Sequence, residues 1–428
     1  MSADDAMGSS HTARFLRTLL QPHWAILLPV AISALVWLLP WASDARVGFG
    51  SKEQLMPNAV LFLVGWYGLA GATAYFGFRL GRHIRPARAL DRIGYARYYL
   101  LVSCVGLAGV AYAYGSVIIT NPTLLIDALN NRTFNLIRSA IPYEAGFQTL
   151  RYATILGGGF AAYRIASTRR VSPLDLLNFV ALLGAAAIAS RLSILLAGVV
   201  FLGLVLHGPL AREVRWWHLA AALLGLALIL VPLNYVRNAG FYERFYGVSD
   251  PVLMSAYEAI AYLGAPFQAS IGVANNAGPL GSGPTARTPQ SVARYLLPTY
   301  FPLKFEDVIA AELRYRTYVD VQPQLTTNSA LAAMYGAMGP LSFLVAPLIL
   351  FLSGIAAGHF LGYRTAVFLV SYVIVYCFAE FWRVFVFNFG IIHFLVLCLV
   401  GPPSVLVVGR AIADARTNPS VLRSNGSG

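Results

Sequence analysis

The sequence predicts an all-α, polytopic integral membrane protein. It would have about ten transmembrane helices and a large extracytoplasmic segment that carries interfacial helices. Three observations predict this class. Hydrophobic residues make up 58% of the 428 and charged residues only 11%, whereas a soluble domain carries about a quarter charged residues. Apolar runs recur that approach the ~20 residues a helix needs to cross a bilayer. The net charge of +13 is almost all arginine, with Lys52 and Lys304 the only lysines, and it collects in short connections between the apolar runs. That is the topogenic pattern of membrane proteins, and it explains a basic balance without nucleic acid.

The runs place spans at roughly 23–40, 58–78, 98–119, 147–166, 173–189, 192–208, 216–233, 340–361, 365–381 and 385–408. A tail over 1–22 precedes the bundle of 23–409, and a second tail over 410–428 follows it. The first run follows Arg14 and Arg17. It is long for a signal-peptide core, and "PWASDA" is a poor cleavage site. Four connections are short and basic: "RLGRHIRPARALDRIGYAR" (79–97), with six arginines and one acid, "STRRVSPLD" (167–175), "LAREVRWWH" (210–218) and "GYRT" (362–365). By the positive-inside rule they face the cytoplasm, as do both termini. The opposite face receives 41–57, 120–146, a turn at 190–191, the long segment 234–339 and a turn at 382–384.

From Leu176 to Leu206 the only charged residue is Arg191. One helix over that run would be ~46 Å long, too long for a single span, and both flanks are basic. The run is therefore read as a hairpin with Arg191 at its external tip. There it either snorkels to mark a membrane boundary or, held below the surface, serves a function that justifies its cost.

The 234–339 segment opens with "NYVRNAGFYERFYG" (234–247). "SDPVLMSAYEAIAYLGAPFQASIGVAN" (249–275) begins with a Ser-Asp-Pro helix start and continues at helical spacing. It predicts one or two amphipathic helices on the bilayer surface or tucked into the bundle. "NAGPLGSGPTARTPQ" (276–290) reads as a flexible loop, and 313–340 as a lead into a re-entrant or interfacial helix. "SGIAAGH" (353–359) places Gly354 and Gly358 four apart, a spacing for close helix packing.

Several chemistries have no motif here. There is no Gly-rich loop followed by Lys-Ser/Thr, no HExxH, no CxxC and no Asp-x-Asp pair. Cys104, Cys377 and Cys398 lie within apolar runs, which points away from a disulfide framework or a zinc site. None of the seven histidines falls in the long external segment. The expectation is an activity with no cofactor and no metal.

The external face is nevertheless rich in arginine, where the positive-inside rule should deplete it: Arg132, Arg138, Arg151, Arg191, Arg237, Arg244, Arg294, Arg314, Arg316 and Arg383. Arginine grips phosphate with a rigid two-donor fork. Arg191, Arg237, Arg244, Arg314 and Arg316 are the candidates for a lipid-borne phosphate or pyrophosphate, against solvated loop charges as the alternative. Tyr257 and Tyr262 would stack on sugar rings or form part of an interfacial aromatic belt. Among the carboxylates of this face, which include Glu144, Glu243, Asp250, Glu306, Asp307, Glu312, Asp320 and Glu380, Glu258 is the candidate general base. It sits between Tyr257 and Tyr262 in an otherwise apolar helix, where a carboxylate holds a proton more readily. A salt bridge to arginine is the other reading of it.

Over roughly 170–365 the "SR" of the hairpin, "NYVRNAGF", "AYLGAPFQA" and "TTNSALAAMYGAMGPLSFLVAPLILFLSGIAAG" resemble the Wzy-type polymerases of O-antigen and exopolysaccharide repeat units. The resemblance implies an all-helical protein of the bacterial inner membrane. It implies transfer of a growing glycan from undecaprenyl pyrophosphate to the next lipid-linked repeat unit outside the cytoplasm, alongside a flippase and a chain-length regulator. Arg191 and Arg237 match the family's external arginines and would hold the pyrophosphate. The chain departs from some members in lacking an Arg-x10-Gly loop motif, since Arg237 to Gly247 is one residue short. It also lacks the external-loop histidine of the related O-antigen ligases. Two rivals stay open: a transporter or flippase of lipid-linked sugars, and a glycosyltransferase that uses a polyprenyl-phosphate sugar. The second usually carries an acid in the first external loop, where Asp44 and Glu53 lie.

Overall fold

Every regular element among the described residues is a helix. The computed structural model describes residues 10–40, 48–91, 93–131, 137, 141, 147–188, 192–286, 288–301, 305–322, 325 and 329–417. The side chains of Arg237 and of residues 410–417 lie outside that description. In chain order the main helices are α1 (His11–Leu19), α2 (Pro22–Leu38), α3 (Pro57–His83), α4 (Tyr95–Thr120), α5 (Leu124–Asn130), α6 (Ala153–Thr168), α7 (Pro173–Ile188) and α8 (Leu192–His207). They continue with α9 (Trp216–Tyr246), α10 (Pro251–Asn275), α11 (Pro289–Leu296), α12 (Glu306–Leu313), α13 (Ala330–Met338), α14 (Ser342–Phe360), α15 (Leu369–Glu380) and α16 (Gly390–Thr417).

Among the described residues, five helical segments are long and apolar enough to cross a membrane: α3, α4, α9 to Val236, the α13–α14 run, and α16 to Gly409. The α1–α2 pair, bent by 84°, makes a sixth if it counts as one span. The other expected spans are helical but shorter than a full bilayer crossing. α7 and α8 have 16 residues each, about 24 Å, against ~30 Å of hydrocarbon. The expected span at 147–166 is broken: a single turn at Phe147–Leu150 ends at Arg151, and α6 starts at Ala153. Residues 11–19 are an ordered helix and not a plain tail. Ser10 caps it by accepting from Ala13 N–H, and Arg17 donates to the Leu206 carbonyl.

Two apolar cores share one helix. α2, α3, α10, α13 and α14 build the first, and α4, α6, α8 and α16 build the second with α1 docked on it. α15 sits between them. Val375 and Phe378 face the first core, while Tyr372, Val373, Tyr376 and Cys377 face the second. A helix this short and apolar on all sides is stable only when buried on all sides, and its C-terminal end carries Glu380.

The glycine pair of "SGIAAGH" packs as its spacing predicts. Gly354 and Gly358 of α14 meet Gly77 and Gly81 of α3, a second pair four apart. An added methyl would lie 2.1 Å from Ile355 O at Gly81 and 2.3 Å from Phe78 O at Gly358. Phe62 and Trp66 touch Phe343 near the start of both helices, so α3 and α14 run parallel. Large apolar side chains point outward around the bundle, among them Leu61, Val64, Leu223, Leu228, Leu348 and Leu397. Such a surface is compatible with a multi-pass membrane protein.

The basic connections meet at one end of the bundle. Asp91 accepts from Arg364 N–H, Thr365 N–H and the Thr365 hydroxyl, and Tyr363 OH accepts from Ala87 N–H. Nearby, the fully buried Asp175 accepts from Arg164, from Tyr99 OH at 2.7 Å and from Ser172. This ties α4, α6 and α7 together. The 234–339 segment occupies the other end, where Gln268 of α10 accepts from Trp37 and Glu53 N–H and donates to the Ser51 carbonyl.

Candidate functional site

The site lies along α10, where α9 packs on it and Arg383, just past the end of α15, reaches Tyr262. The sequence reading ends the α9 span at 233, yet the same helix continues through Asn234 to Tyr246 and stops at Gly247 in the left-handed region (φ 65°). Contact holds it there: Ala239 and Tyr242 of α9 pack on Met254 of α10 and on Val248. α10 starts as the Ser-Asp-Pro pattern predicts. Asp250 accepts from Leu253 N–H at 2.6 Å, with Pro251 in the first turn. It is one helix tucked into the bundle, buried at Met254, Glu258, Ala261 and then almost continuously from Gly264 to Val273.

This packing sets a line of polar side chains inside apolar walls. Asn234 accepts from Asn238 at 2.9 Å, and Asn238 also donates to Glu258 Oε1 at 3.3 Å. Glu258 is 5% exposed. One turn further along the same face of α10 lies Tyr262, and the Arg383 guanidinium sits 5.2 Å from its ring centre. Arg383 is held in turn by Glu380: two of its N–H groups reach Oε2, while Tyr376 OH donates to Oε1 at 2.6 Å. Two buried carboxylates, a half-buried cation and two phenols are thus strung from α10 to the end of α15. Such an arrangement can accept a proton at one point and stabilise negative charge at another.

The sequence-predicted residues distribute unevenly around this line. Glu258 and Tyr262 are in it. Tyr257 instead packs into the aromatic cluster between α9 and α10 with Tyr235, Phe241 and Tyr246. Arg237 is on α9 beside Asn238, and its side chain lies outside the described residues. So does the whole of Arg191, which follows the end of α7 and precedes α8, together with Arg132, Arg138, Glu144 and Asp44. Arg244 is exposed and lies over Phe245.

Arg314 and Arg316 brace the segment, donating to the carbonyls of Pro279 and Leu325. Arg314 also lines a cavity of about 600 Å³ with Thr288, Gln290, Phe305, Glu306, Asp307 and Val308, a mixed polar and apolar lining with one aromatic wall that suits a sugar. Arg294 pairs with Glu312 at 3.2 Å and joins α11 to α12. Burial and the Glu312 carboxylate push the neighbouring Tyr295 phenol well above its usual range.

The sequence reading placed Arg383 and Glu380 on this face without singling them out. Their signal is a cation and an acid three apart inside "FAEFWRVF", an otherwise apolar stretch. Asn234 and Asn238 carried no separate signal. Arg151 is the most buried described arginine of the set, at 2% exposure, and Nε and Nη1 find no acceptor among the described residues.

Comparison with protein-family models, with curated proteins and with solved structures finds no match to the chain.

Proposed function

We propose that the chain is a polymerase of lipid-linked oligosaccharide repeat units, a metal-independent glycosyltransferase of the bacterial inner membrane. In this reading it crosses the membrane about ten times with both termini in the cytoplasm, and it works on the extracytoplasmic face. The observation that carries the proposal is the placement of Glu258: a buried carboxylate on the same helix face as Tyr262, which adjoins the Arg383–Glu380 pair.

The chemistry balances without a cofactor. An acceptor sugar hydroxyl attacks the anomeric carbon of the donor glycan and loses its proton to Glu258. The new C–O bond forms as the bond to undecaprenyl pyrophosphate breaks, and the leaving pyrophosphate takes the electron pair. In-line attack inverts the anomeric configuration. Arg191 and Arg237 hold the pyrophosphate, and Arg383 adds positive potential from the adjacent turn. Tyr262 offers an aromatic face to a sugar, and the Arg314 cavity offers room for further sugar residues. A flippase supplies the donor, and a chain-length regulator is the expected protein partner.

Losing one anion contact that strengthens in the transition state costs about 2–4 kcal/mol, roughly 30- to 1,000-fold in rate. Cells carrying Glu258→Gln, Arg191→Lys or Arg237→Lys should accumulate single repeat units on the lipid carrier while the protein stays inserted. Arg92→Ala, in the basic connection 79–97, should polymerise normally. Wild-type polymerisation by Glu258→Gln would remove the assignment of the base.

A further inference from the structure

At the end of the bundle opposite the Glu258 line, five helices leave a cavity of about 320 Å³. Arg17 of α1, Arg82 of α3, His207 of α8 and Ser371 and Tyr372 of α15 line it, with Gln21 beside the bend between α1 and α2. The two ends are well separated along α3. Trp66, which stacks on Phe381, is 16 residues from Arg82, about 24 Å of helix.

Two features of this cavity point to a ligand. Its charge is one-sided: Arg17 and Arg82 face it, and among the described residues no acidic side chain lines it. Arg17 is also incompletely bonded. One terminal nitrogen donates to the Leu206 carbonyl, while Nε and Nη1 are shut off from solvent and find no acceptor among the described residues. Buried donors of a charged group are ordinarily satisfied. The opposite wall adds neutral polar groups, since Ser371 is buried and Tyr372 OH lies 3.2 Å from His207 Nδ1. His207 itself is fixed by stacking on Phe368 at 4.2 Å. A guanidinium with unsatisfied donors at the cavity wall, a second arginine at the rim and small polar groups opposite make up a receptor for a tetrahedral oxyanion.

We propose that this cavity is a phosphoryl-binding site, gripping through Arg17 and Arg82 either a free phosphate ion or the phosphate of an anionic lipid headgroup. The site is separate from the pyrophosphate grip proposed for Arg191 and Arg237 and does not depend on it. Because α15 forms one wall here and ends at Glu380, an occupant also braces the helix shared by the two cores.

Purified full-length protein tests this in two settings. In neutral detergent, inorganic phosphate is titrated against chloride at matched ionic strength. In phosphatidylcholine nanodiscs, phosphatidic acid is present or absent. The thermal midpoint of the wild type should rise saturably in at least one setting. A rise with phosphate identifies the free ion, and a rise with phosphatidic acid alone identifies the lipid. The Arg17→Gln/Arg82→Gln variant should bind at least tenfold more weakly, while Glu258→Gln should respond as the wild type does. No rise in either setting, or an equal rise in the double variant, overturns the proposal. Should the double variant not fold, phenylglyoxal labelling of the wild type decides. The ligand should protect Arg17 and Arg82 but not Arg244, and equal labelling with and without ligand rejects the site.

Discussion

Breaking the Glu380–Arg383 pair should be costly, and deleting both partners much less so. The side chains are 9% and 16% exposed, so water can replace little of what either one loses. In Arg383→Met, Glu380 keeps the Tyr376 hydroxyl but loses both guanidinium N–H groups. An uncompensated buried charge of this kind costs about 3–5 kcal/mol. Loss of the Tyr262 contact adds about 0.5–1 kcal/mol or more. In Glu380→Gln/Arg383→Met no charge is left buried, and the penalty should fall well below that of Arg383→Met alone. Reversible unfolding in mixed micelles, run as a double-mutant cycle, measures the difference. The coupling should exceed ~1.5 kcal/mol. Additivity within ~0.5 kcal/mol, the behaviour of independent sites, would refute the buried pair.

Other positions give sharper contrasts. Gly81→Ala forces a methyl to 2.1 Å from Ile355 O and should destabilise by about 1–3 kcal/mol or more. Gly225→Ala, in open space on α9, should be neutral or stabilise by up to ~1 kcal/mol; equal effects would contradict the α3–α14 crossing. Burial, opposed by the Asn275 amide and reinforced by the Asp320 charge, raises Glu53 above its ordinary range. A carboxyl raised on folding contributes stability that is fully present below its unfolded pKa, near 4.3, and lost as pH rises through the folded value. Glu53→Gln should remove that gain on acidification, and an unchanged pH profile of unfolding would count against it. A cysteine at Ser282 should react with an impermeant thiol reagent from outside, and one at Arg85 should not; the reverse result inverts the topology.

What the sequence disclosed follows from which forces are local. The division at Arg191 was legible because it is the one charge among the 31 positions from 176 to 206, and α7 and α8 do lie on either side of it. The Asp250 cap and the Gly354/Gly358 spacing were legible because each is written within a few residues. Their consequences were not. That Gly77 and Gly81 form the other half of the crossing depends on which face α3 turns inward, and α3 is apolar on several faces. The continuation of α9 past 233 was hidden because Asn234, Arg237 and Asn238 lower the hydropathy there, while packing on α10 keeps the helix intact. The break at Arg151–Tyr152 was masked by apolar residues on both sides. Arg17 and Arg82 read as topogenic charges, and their convergence belongs to the fold. Glu258 stood out as an acid between Tyr257 and Tyr262 in an otherwise apolar helix, but which of the two tyrosines shares its face depends on how α10 packs. Arg383 was passed over because its partner, Glu380, sits in what reads as the end of a span.

The most direct test of the polymerase reading is a single reconstitution. Purified protein in lipid vesicles receives synthetic undecaprenyl pyrophosphate-linked repeat units in excess chelator, and products are resolved by length. The account predicts a ladder of lengthening lipid-linked glycans from the wild type. It predicts a ladder at least about 30-fold slower from Glu258→Gln, with both proteins equally folded. A wild-type ladder that appears only when Mg²⁺ or Mn²⁺ is restored, or an undiminished ladder from Glu258→Gln, would contradict it.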